Sequence, residues 1–217
     1  MQGAYRPKNG EPRVLPIVQS TTYKYDSSVE MGDLFDLKKS GYFYSRLQNP
    51  TNDTVAAKIT MLEGGVAGML TSSGQAANFY AVFNIAQAGD HIVSSSAIYG
   101  GTYNYLEHTF PEFGVTTTFV DPEVDGAFEA AIQDNTKAIF IETLGNPNSN
   151  LIDIEEIAKI AHAHNIPLVV DSTFATPYLV RPIEYGADIV VHSATKFIGG
   201  HGTAIGGVIV DSGNFDW

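Results

Sequence analysis

Residues 153–171 read DIEEIAKIAHAHNIPLVVD, and this stretch contains the unit on which the fold is built. Asp153–His164 has the spacing of an amphipathic helix. The residues expected on its inner side are Ile154, Ile157, Ala158 and Ala161. Leu168-Val169-Val170 follows as a short apolar run, which is typical of a strand buried on both faces. The segment therefore predicts a helix followed by a buried strand.

The same alternation of helix and strand extends outward from this segment. Two further helices are predicted at Thr51–Leu62, with Val55, Ile59 and Leu62 on one side, and at Gln75–Ala88. The other predicted strands are Gly68–Leu70, His91–Val93, Val115–Val120, Lys137–Glu142, Asp188–His192 and Ile205–Val210. Alternating strands and helices predict an α/β fold, in which helices cover both faces of a mostly parallel sheet.

Residues 1–50 differ in composition and periodicity from the rest of the chain. They are polar, contain several prolines and show little periodicity. A stretch of this kind is not expected to build its own core, so we expect it to lie across another surface, such as a neighbouring subunit. The predicted organisation is an N-terminal arm over residues 1–50 and a large domain over residues 51–217.

Composition excludes several classes of function. The formal net charge is -12, which disfavours binding to nucleic acid because an acidic surface repels phosphates. The chain has no cysteine, so disulfides and thiolate metal sites are excluded. No apolar run reaches the ~18 residues that span a bilayer, and the first residues lack the apolar core of a signal peptide. We therefore expect a cytoplasmic protein that binds no membrane.

The polar residues that follow the predicted strands are candidates for a site, because ligands of parallel sheets bind beyond the carboxyl ends of the strands. These residues are Ser73-Gly74-Gln75, Tyr99, Glu142–Asn146, Asp171–Thr173 and Ser193–Lys196. A lysine shielded from water can attack a carbonyl, and a carboxylate can hold a ring nitrogen protonated. Taken singly, Lys196 could be a surface lysine and Asp171 a helix cap. Together they favour a cofactor site.

Other catalytic patterns are missing from the sequence. The P-loop pattern does not occur, and the glycines at 200–207 do not give a dinucleotide-binding motif. His162 and His164 are interpreted as solvated helix residues rather than zinc ligands, and no metal site is predicted. Ser193 lacks the flanking glycines of a hydrolase nucleophile.

Long motifs in this sequence resemble those of the Cys/Met-metabolism family of pyridoxal-phosphate (PLP) enzymes. The match to the PLP-lysine motif is SATKFIGGHGT at residues 193–203, and VDSTFATP at residues 170–177 matches a second motif. Tyr44-Ser45-Arg46 resembles the family's phosphate-binding segment. The resemblance covers essentially the whole chain and implies the PLP-dependent transferase fold of type I.

The resemblance also implies roles for individual residues. Lys196 would form the Schiff base with PLP and move protons, Asp171 would pair with the pyridine nitrogen, and Tyr99 would stack on the ring. The implied phosphate ligands are Gly74, Gln75, Ser193 and Thr195, with Tyr44 and Arg46 binding the phosphate of a neighbouring subunit. Asn146 would approach the ring hydroxyl, and Thr173 would support the ring near Asp171.

Within the family, the sequence after Lys196 is most similar to members that use O-acetyl-L-homoserine and sulfide or a thiol. The implied reaction is γ-replacement of acetate, which gives homocysteine or methionine. Cystathionine synthases, cystathionine lyases and methionine γ-lyases of the same family remain alternatives. The resemblance also implies a homotetramer, built as a dimer of active dimers.

Members of that family are about twice as long as this chain. The sequence therefore predicts a fragment in which the C-terminal small domain is absent. A fragment that only binds or assembles, without catalysis, is a third hypothesis beside the two enzymatic ones.

Overall fold

The computed structural model describes residues 3–217. They form two compact units, one that ends at Lys58 and one that covers Ile59–Trp217. The boundary between the units falls within the helix α2, Pro50–Glu63. It lies eight residues beyond residue 50, where the change in composition and periodicity predicted it (58 − 50). The assignment of residues 1–50 as an intersubunit arm remains a prediction.

The first unit contains α1, Ser28–Phe35, which the weak periodicity of this segment did not predict. The hydroxyl of Ser27 caps this helix by accepting a hydrogen bond from the Glu30 N–H at 3.1 Å. Leu34 on the helix is buried. Further along the unit, Asn49 donates to the Val18 carbonyl and to the Ser45 hydroxyl, so side-chain hydrogen bonds organise a segment that is poor in regular structure.

The second unit is built on a seven-stranded sheet with the order β1-β7-β6-β5-β4-β2-β3. The strands are β1 Ala67–Thr71, β2 His91–Ser95, β3 Thr116–Val120, β4 Thr136–Glu142, β5 Leu168–Asp171, β6 Ile189–Ser193 and β7 Gly207–Asp211. From β2 to β6 all pairings are parallel, whereas β7 is antiparallel to both of its neighbours. The prediction of an α/β fold with a mostly parallel sheet is confirmed.

Helices accompany the strands of this unit. After α2 they are α3 Gly74–Phe83, α4 Gly100–Asn104, α5 Ala127–Ala131, α6 Ile154–Ala163 and α7 Thr176–Leu179. A π-helical turn at Tyr105–Thr109 and 3-10 turns at Phe110–Phe113 and Pro182–Tyr185 complete the set. Among residues 3–217, no helix is long and apolar enough to span a membrane.

Both faces of the central strands β4, β5 and β6 are buried, which explains why these strands are largely apolar runs rather than alternating patterns. One core contains Ile139 and Ile141 of β4 together with α6, and the other contains Ala138 and Phe140 of the same strand together with α3. Successive side chains of a strand point to opposite faces, so each central strand serves both cores.

The predicted elements agree with the structure except in their details. The inner face of α6 is the predicted one, since Ile154, Ile157, Ala158 and Ala161 are all buried. α3 ends at Phe83 rather than Ala88, and β7 begins at Gly207 rather than Ile205.

The predicted inner side of α2 is wrong. Val55 and Leu62 are exposed, while Ile59 is buried together with Thr60 and Glu63. Apolar periodicity could not find this face because two of its buried residues are polar.

Candidate functional site

A cavity of about 650 Å³ opens at the carboxyl ends of β4, β5 and β6, beside the start of α3. Its lining includes these residues singled out from the sequence: Gly74, Gln75, Tyr99, Asn146, Asp171, Thr173, Ser193, Thr195 and Lys196. The topology explains why they meet, since the carboxyl ends of parallel strands lie along one edge of the sheet.

The two remaining predicted residues, Tyr44 and Arg46, belong to the first unit. The Arg46 guanidinium lies 5.1 Å from the centre of the Tyr44 ring, a cation–π arrangement. Their predicted role toward a neighbouring subunit remains a prediction.

Asp171 is the last residue of β5 and is only 7% exposed. Hydrogen bonds from neighbouring residues hold its carboxylate in place. Oδ2 accepts a hydrogen bond from Asn78 Nδ2 at 3.0 Å. Oδ1 accepts from the Thr173 N–H at 3.0 Å and from the Thr173 hydroxyl at 2.5 Å. Three donors compensate the loss of water around a buried carboxylate. Asp171 is therefore prepared to face a cationic ring nitrogen.

Thr173 joins the carboxylate to the next strand. Its hydroxyl donates to Asp171 and accepts from the Ser193 N–H at 2.8 Å. This single oxygen therefore couples the end of β5 to the end of β6, where the loop with Lys196 begins.

The start of α3 packs tightly against the end of β6. A Cβ added to Gly74 would lie 2.4 Å from Ser193 Cβ and 2.7 Å from Ser193 Cα, so only glycine fits there without a shift. Ser73 caps the helix by accepting from the Ala76 N–H at 3.0 Å. The N–H groups of Gly74 and Gln75 have no carbonyl one turn earlier within the helix, which makes this end suitable for a phosphate.

Lys196 lies in the turn that follows β6. Its N–H donates to the Ser193 carbonyl at 3.2 Å, and its carbonyl accepts from the Gly200 N–H at 2.8 Å. The side chain lines the cavity, yet the residue is exposed. Residues 3–217 therefore do not shield Lys196 from water, although such shielding was expected.

Tyr99 precedes α4 and is 53% exposed. Its ring passes so close to Gly101 that a Cβ there would lie 2.5 Å from the Tyr99 ring carbon Cε1. The main-chain N–H of Tyr99 donates to Glu142 Oε1 at 2.8 Å. The main chain of Tyr99 is thus held in place, while about half of the residue stays accessible to a planar ligand.

Glu142 is a second buried carboxyl in the cavity; its position at a strand end was predicted, but no role was assigned to it. It ends β4 and is 5% exposed. Burial first, and then the charge of Asp171, raise the pKa of Glu142 to about 8, although the hydrogen bond from Tyr99 opposes this. Its place directly after a buried apolar strand was the available signal.

Asn78 and Tyr105 are lining residues that sequence reasoning missed. Both are buried, and the Asn78 Oδ1 and Tyr105 hydroxyl have no hydrogen-bond partner among the described residues. Burial, followed by the charge of Asp171, raises the pKa of the Tyr105 hydroxyl above its usual range, which keeps it neutral. No sequence motif marks either residue: Asn78 is one polar position in the apolar helix α3, and Tyr105 begins the π-helical turn in a stretch of mixed polarity.

Within residues 3–217, no group of three or more histidine, aspartate or glutamate residues is arranged to hold a metal ion.

Comparison with known proteins identifies the family. The family model for the Cys/Met metabolism PLP-dependent enzymes matches residues 2–217. A homocysteine synthase from Schizosaccharomyces pombe is 53% identical over 206 residues, which are 94% of this chain and 48% of that protein. An O-acetyl-L-homoserine sulfhydrylase from Leptospira meyeri is 48% identical over 205 residues, which are 94% of this chain and 46% of that protein.

Solved structures agree with this similarity. A crystal structure from Campylobacter jejuni, assigned as an O-acetylhomoserine (thiol)-lyase, contains a pyridoxyl-lysine phosphate. It superposes with a TM-score of 0.94 at 40% identity, over 98% of this chain and 52% of that one. The chain thus spans about half the length of the relatives that it matches. On these grounds, the chain belongs to the family of Cys/Met metabolism PLP-dependent enzymes.

Proposed function

We propose that the cavity holds PLP and that the protein replaces the acetate of O-acetyl-L-homoserine by sulfide or a thiol. With sulfide the product is homocysteine, and with methanethiol it is methionine. The observation that carries this proposal is the meeting of an amine, Lys196, and a firmly held carboxylate, Asp171, at one cavity.

The residues of the cavity fit PLP in charge and shape. The three hydrogen bonds to Asp171 keep an anion where the ring nitrogen would need one. The start of α3 offers unpaired N–H groups to the phosphate, and the absence of a side chain at Gly74 brings Ser193 close to that end. The half-exposed ring of Tyr99 supplies a flat apolar surface. When bound, PLP supplies an electron sink for carbanion chemistry.

Each residue then has a defined task. Lys196 would hold the cofactor covalently and would carry protons between carbons of the substrate. Asp171 keeps the ring nitrogen protonated. Gly74, Gln75, Ser193 and Thr195 bind the phosphate, Asn146 approaches the ring hydroxyl, and Thr173 supports Asp171.

The reaction balances as a substitution at Cγ. The bond between Cγ and the acetate oxygen breaks, and a bond between Cγ and sulfur forms. Protons removed from Cα and Cβ before acetate leaves are returned after sulfur adds. Lys196 is the base suited to this, because its flexible side chain ends in an amine that can accept and donate protons.

The choice of O-acetyl-L-homoserine is supported by the name of the O-acetyl-L-homoserine sulfhydrylase that is 48% identical to this chain, and the product by the name of the homocysteine synthase that is 53% identical. We further propose that the complete protein is a homo-oligomer, in which Tyr44 and Arg46 bind the phosphate of a neighbouring subunit. A cytoplasmic location is part of the same proposal.

The test is an assay of the complete protein that contains this chain. With O-acetyl-L-homoserine and sulfide we expect homocysteine and acetate in equal amounts, and no turnover by the K196A variant. Parallel reactions with L-methionine and with cystathionine separate the alternatives. Release of methanethiol from methionine, or turnover of cystathionine, without homocysteine synthesis would contradict the proposed substrate.

A further inference from the structure

Two carboxyl groups lie side by side in the cofactor cavity. Glu142 and Asp171 end the neighbouring parallel strands β4 and β5, and their Cα atoms are register partners. Glu142 is 5% exposed and Asp171 is 7% exposed. Two carboxylates so close together in a site with little water repel each other strongly, so one of them is expected to keep its proton.

The hydrogen bonds decide which group keeps the proton. Asp171 accepts from three donors, namely Asn78 Nδ2, the Thr173 N–H and the Thr173 hydroxyl. Glu142 accepts from the Tyr99 N–H at 2.8 Å. Donors stabilise the charged form of a carboxyl, so the negative charge belongs on Asp171 and the proton on Glu142.

The other titratable groups around the cavity agree with this division. Those that line it besides the two carboxyls are Tyr99, Tyr105, His108 and Lys196. Burial, followed by the proximity of Asp171, raises the pKa of Glu142 and of the buried Tyr105, in keeping with a proton on Glu142. Lys196 is exposed to solvent, so water screens its charge from the buried carboxyls.

We propose that Glu142 is a positioning residue of the cofactor site, which fixes the main chain of Tyr99 while remaining a neutral acid beside Asp171. This inference rests on the proposed function and adds a residue to its site. A neutral Glu142 accepts the Tyr99 N–H through Oε1 without placing a second negative charge at the cavity. Tyr99 is thereby held for stacking, and Asp171 faces the ring nitrogen as a single anion.

The protonation of Glu142 can be measured directly in the PLP-free protein. Carbon-13 labelling of glutamate side chains, with spectra from about pH 3 to about pH 10, follows each carboxyl through its titration. We expect one signal with a midpoint near pH 8 that is missing in E142Q. A midpoint for Glu142 near the ordinary value of 4.5 would overturn the neutral acid.

Stability gives a second measure with a definite sign. The folded-state pKa of Glu142 is raised, so the folded protein binds a proton that the unfolded chain has released, and stability falls as pH rises from 4.5 to about 8. The unfolding constant of the wild type relative to E142Q should grow by up to about tenfold per pH unit in this window. The exposed Glu112 provides the matched control E112Q, for which no such trend is expected. A flat ratio for E142Q contradicts the inference.

The link to Tyr99 is tested by PLP affinity in the complete protein. E142L removes the acceptor for the Tyr99 N–H and should weaken PLP binding about tenfold, whereas E142Q keeps an acceptor and should restore affinity to within about threefold. Failure of the wild type to bind PLP refutes the proposed function itself. Wild-type affinity in E142L, with PLP bound normally by the wild type, refutes only the role of Glu142. If E142L does not fold, the carbon-13 titration decides.

Discussion

Glu63 and His192 hydrogen bond through Oε1 and Nε2 at 2.5 Å, and neither side chain is exposed to solvent. The two residues are 129 positions apart in the sequence. The pair ties the last residue of α2 to β6, one residue before Ser193. The remaining polar atoms of the two side chains, Glu63 Oε2 and His192 Nδ1, have no hydrogen-bond partner among the described residues. The two side chains therefore depend on this one hydrogen bond.

Removing one member of the Glu63–His192 pair should destabilise the protein strongly. E63L or H192F leaves a polar group buried without a partner, which costs about 1–3 kcal/mol. The double variant E63L/H192F should cost much less than the sum of the two. Urea denaturation of all four proteins gives the coupling energy, and E112L serves as an exposed control. Additive effects would show that the hydrogen bond contributes little.

Lys196 should be the attachment point of the cofactor. After incubation with PLP and reduction by borohydride, mass spectrometry should find a pyridoxyl phosphate on the peptide that contains Lys196. K196R keeps the positive charge but cannot form the linkage, so the modification should disappear. K137R changes an exposed lysine at the start of β4, the end away from the cavity, and should leave the modification intact. Modification of another lysine at wild-type yield in K196R would refute the assignment.

Replacing Asp171 by asparagine should weaken cofactor binding while preserving the fold. D171N is nearly isosteric but removes the charge that a protonated ring nitrogen requires, and a charge-assisted hydrogen bond contributes about 1.5–3 kcal/mol. We therefore expect the PLP dissociation constant to rise about tenfold to about a hundredfold, as followed by cofactor absorbance. The exposed Asp134 provides the control D134N. Equal affinities of D171N and the wild type would remove Asp171 from the site.

The glycine at the start of α3 should be intolerant of a methyl group. G74A places a carbon 2.4 Å from Ser193 Cβ, so the helix end and the strand end must separate. Overpacking of this kind costs about 1–3 kcal/mol and should weaken PLP binding through the displaced phosphate ligands. At Gly100 the added carbon meets nothing within 4 Å, so G100A is the matched control. Similar PLP affinities of G74A and G100A would contradict this view of the contact.

The sheet could be predicted because its central strands carry their signal locally. The run Leu168-Val169-Val170 is buried on both faces. A short apolar run of this kind between two helices predicts a buried strand. Strand order is not local information, however. The antiparallel direction of β7 follows from the turn at Lys196, which returns the chain beside β6, and no periodicity encodes that return.

The candidate site could be predicted where a residue ends a strand, as Asp171 does, or follows one within a few positions, as Lys196 does. Residues that reach the cavity through long-range contacts could not be predicted. Asn78 donates to Asp171 across 93 positions, and its sequence neighbours resemble any buried helix. Glu142 stood at a strand end, but its significance depends on the proximity of Asp171 on the next strand, which only the fold establishes.

The helix α1 was missed although a signal was present. Ser27 and Glu30 have the spacing of a capping box, and Ser27 does cap the helix. The polar character of the surrounding residues obscured this short pattern.

The lysine loop is a hairpin connection. Ser193 and Gly207 are register partners on the adjacent antiparallel strands β6 and β7, so residues 194–206 leave the sheet and return to it at the same place. A loop whose two ends are already joined can change in length or composition with little entropic cost and without disturbing the strands. The sheet thus serves as a fixed frame that presents Asp171 and Ser193, and the loop that carries Lys196 could vary at its other positions while this frame stayed the same.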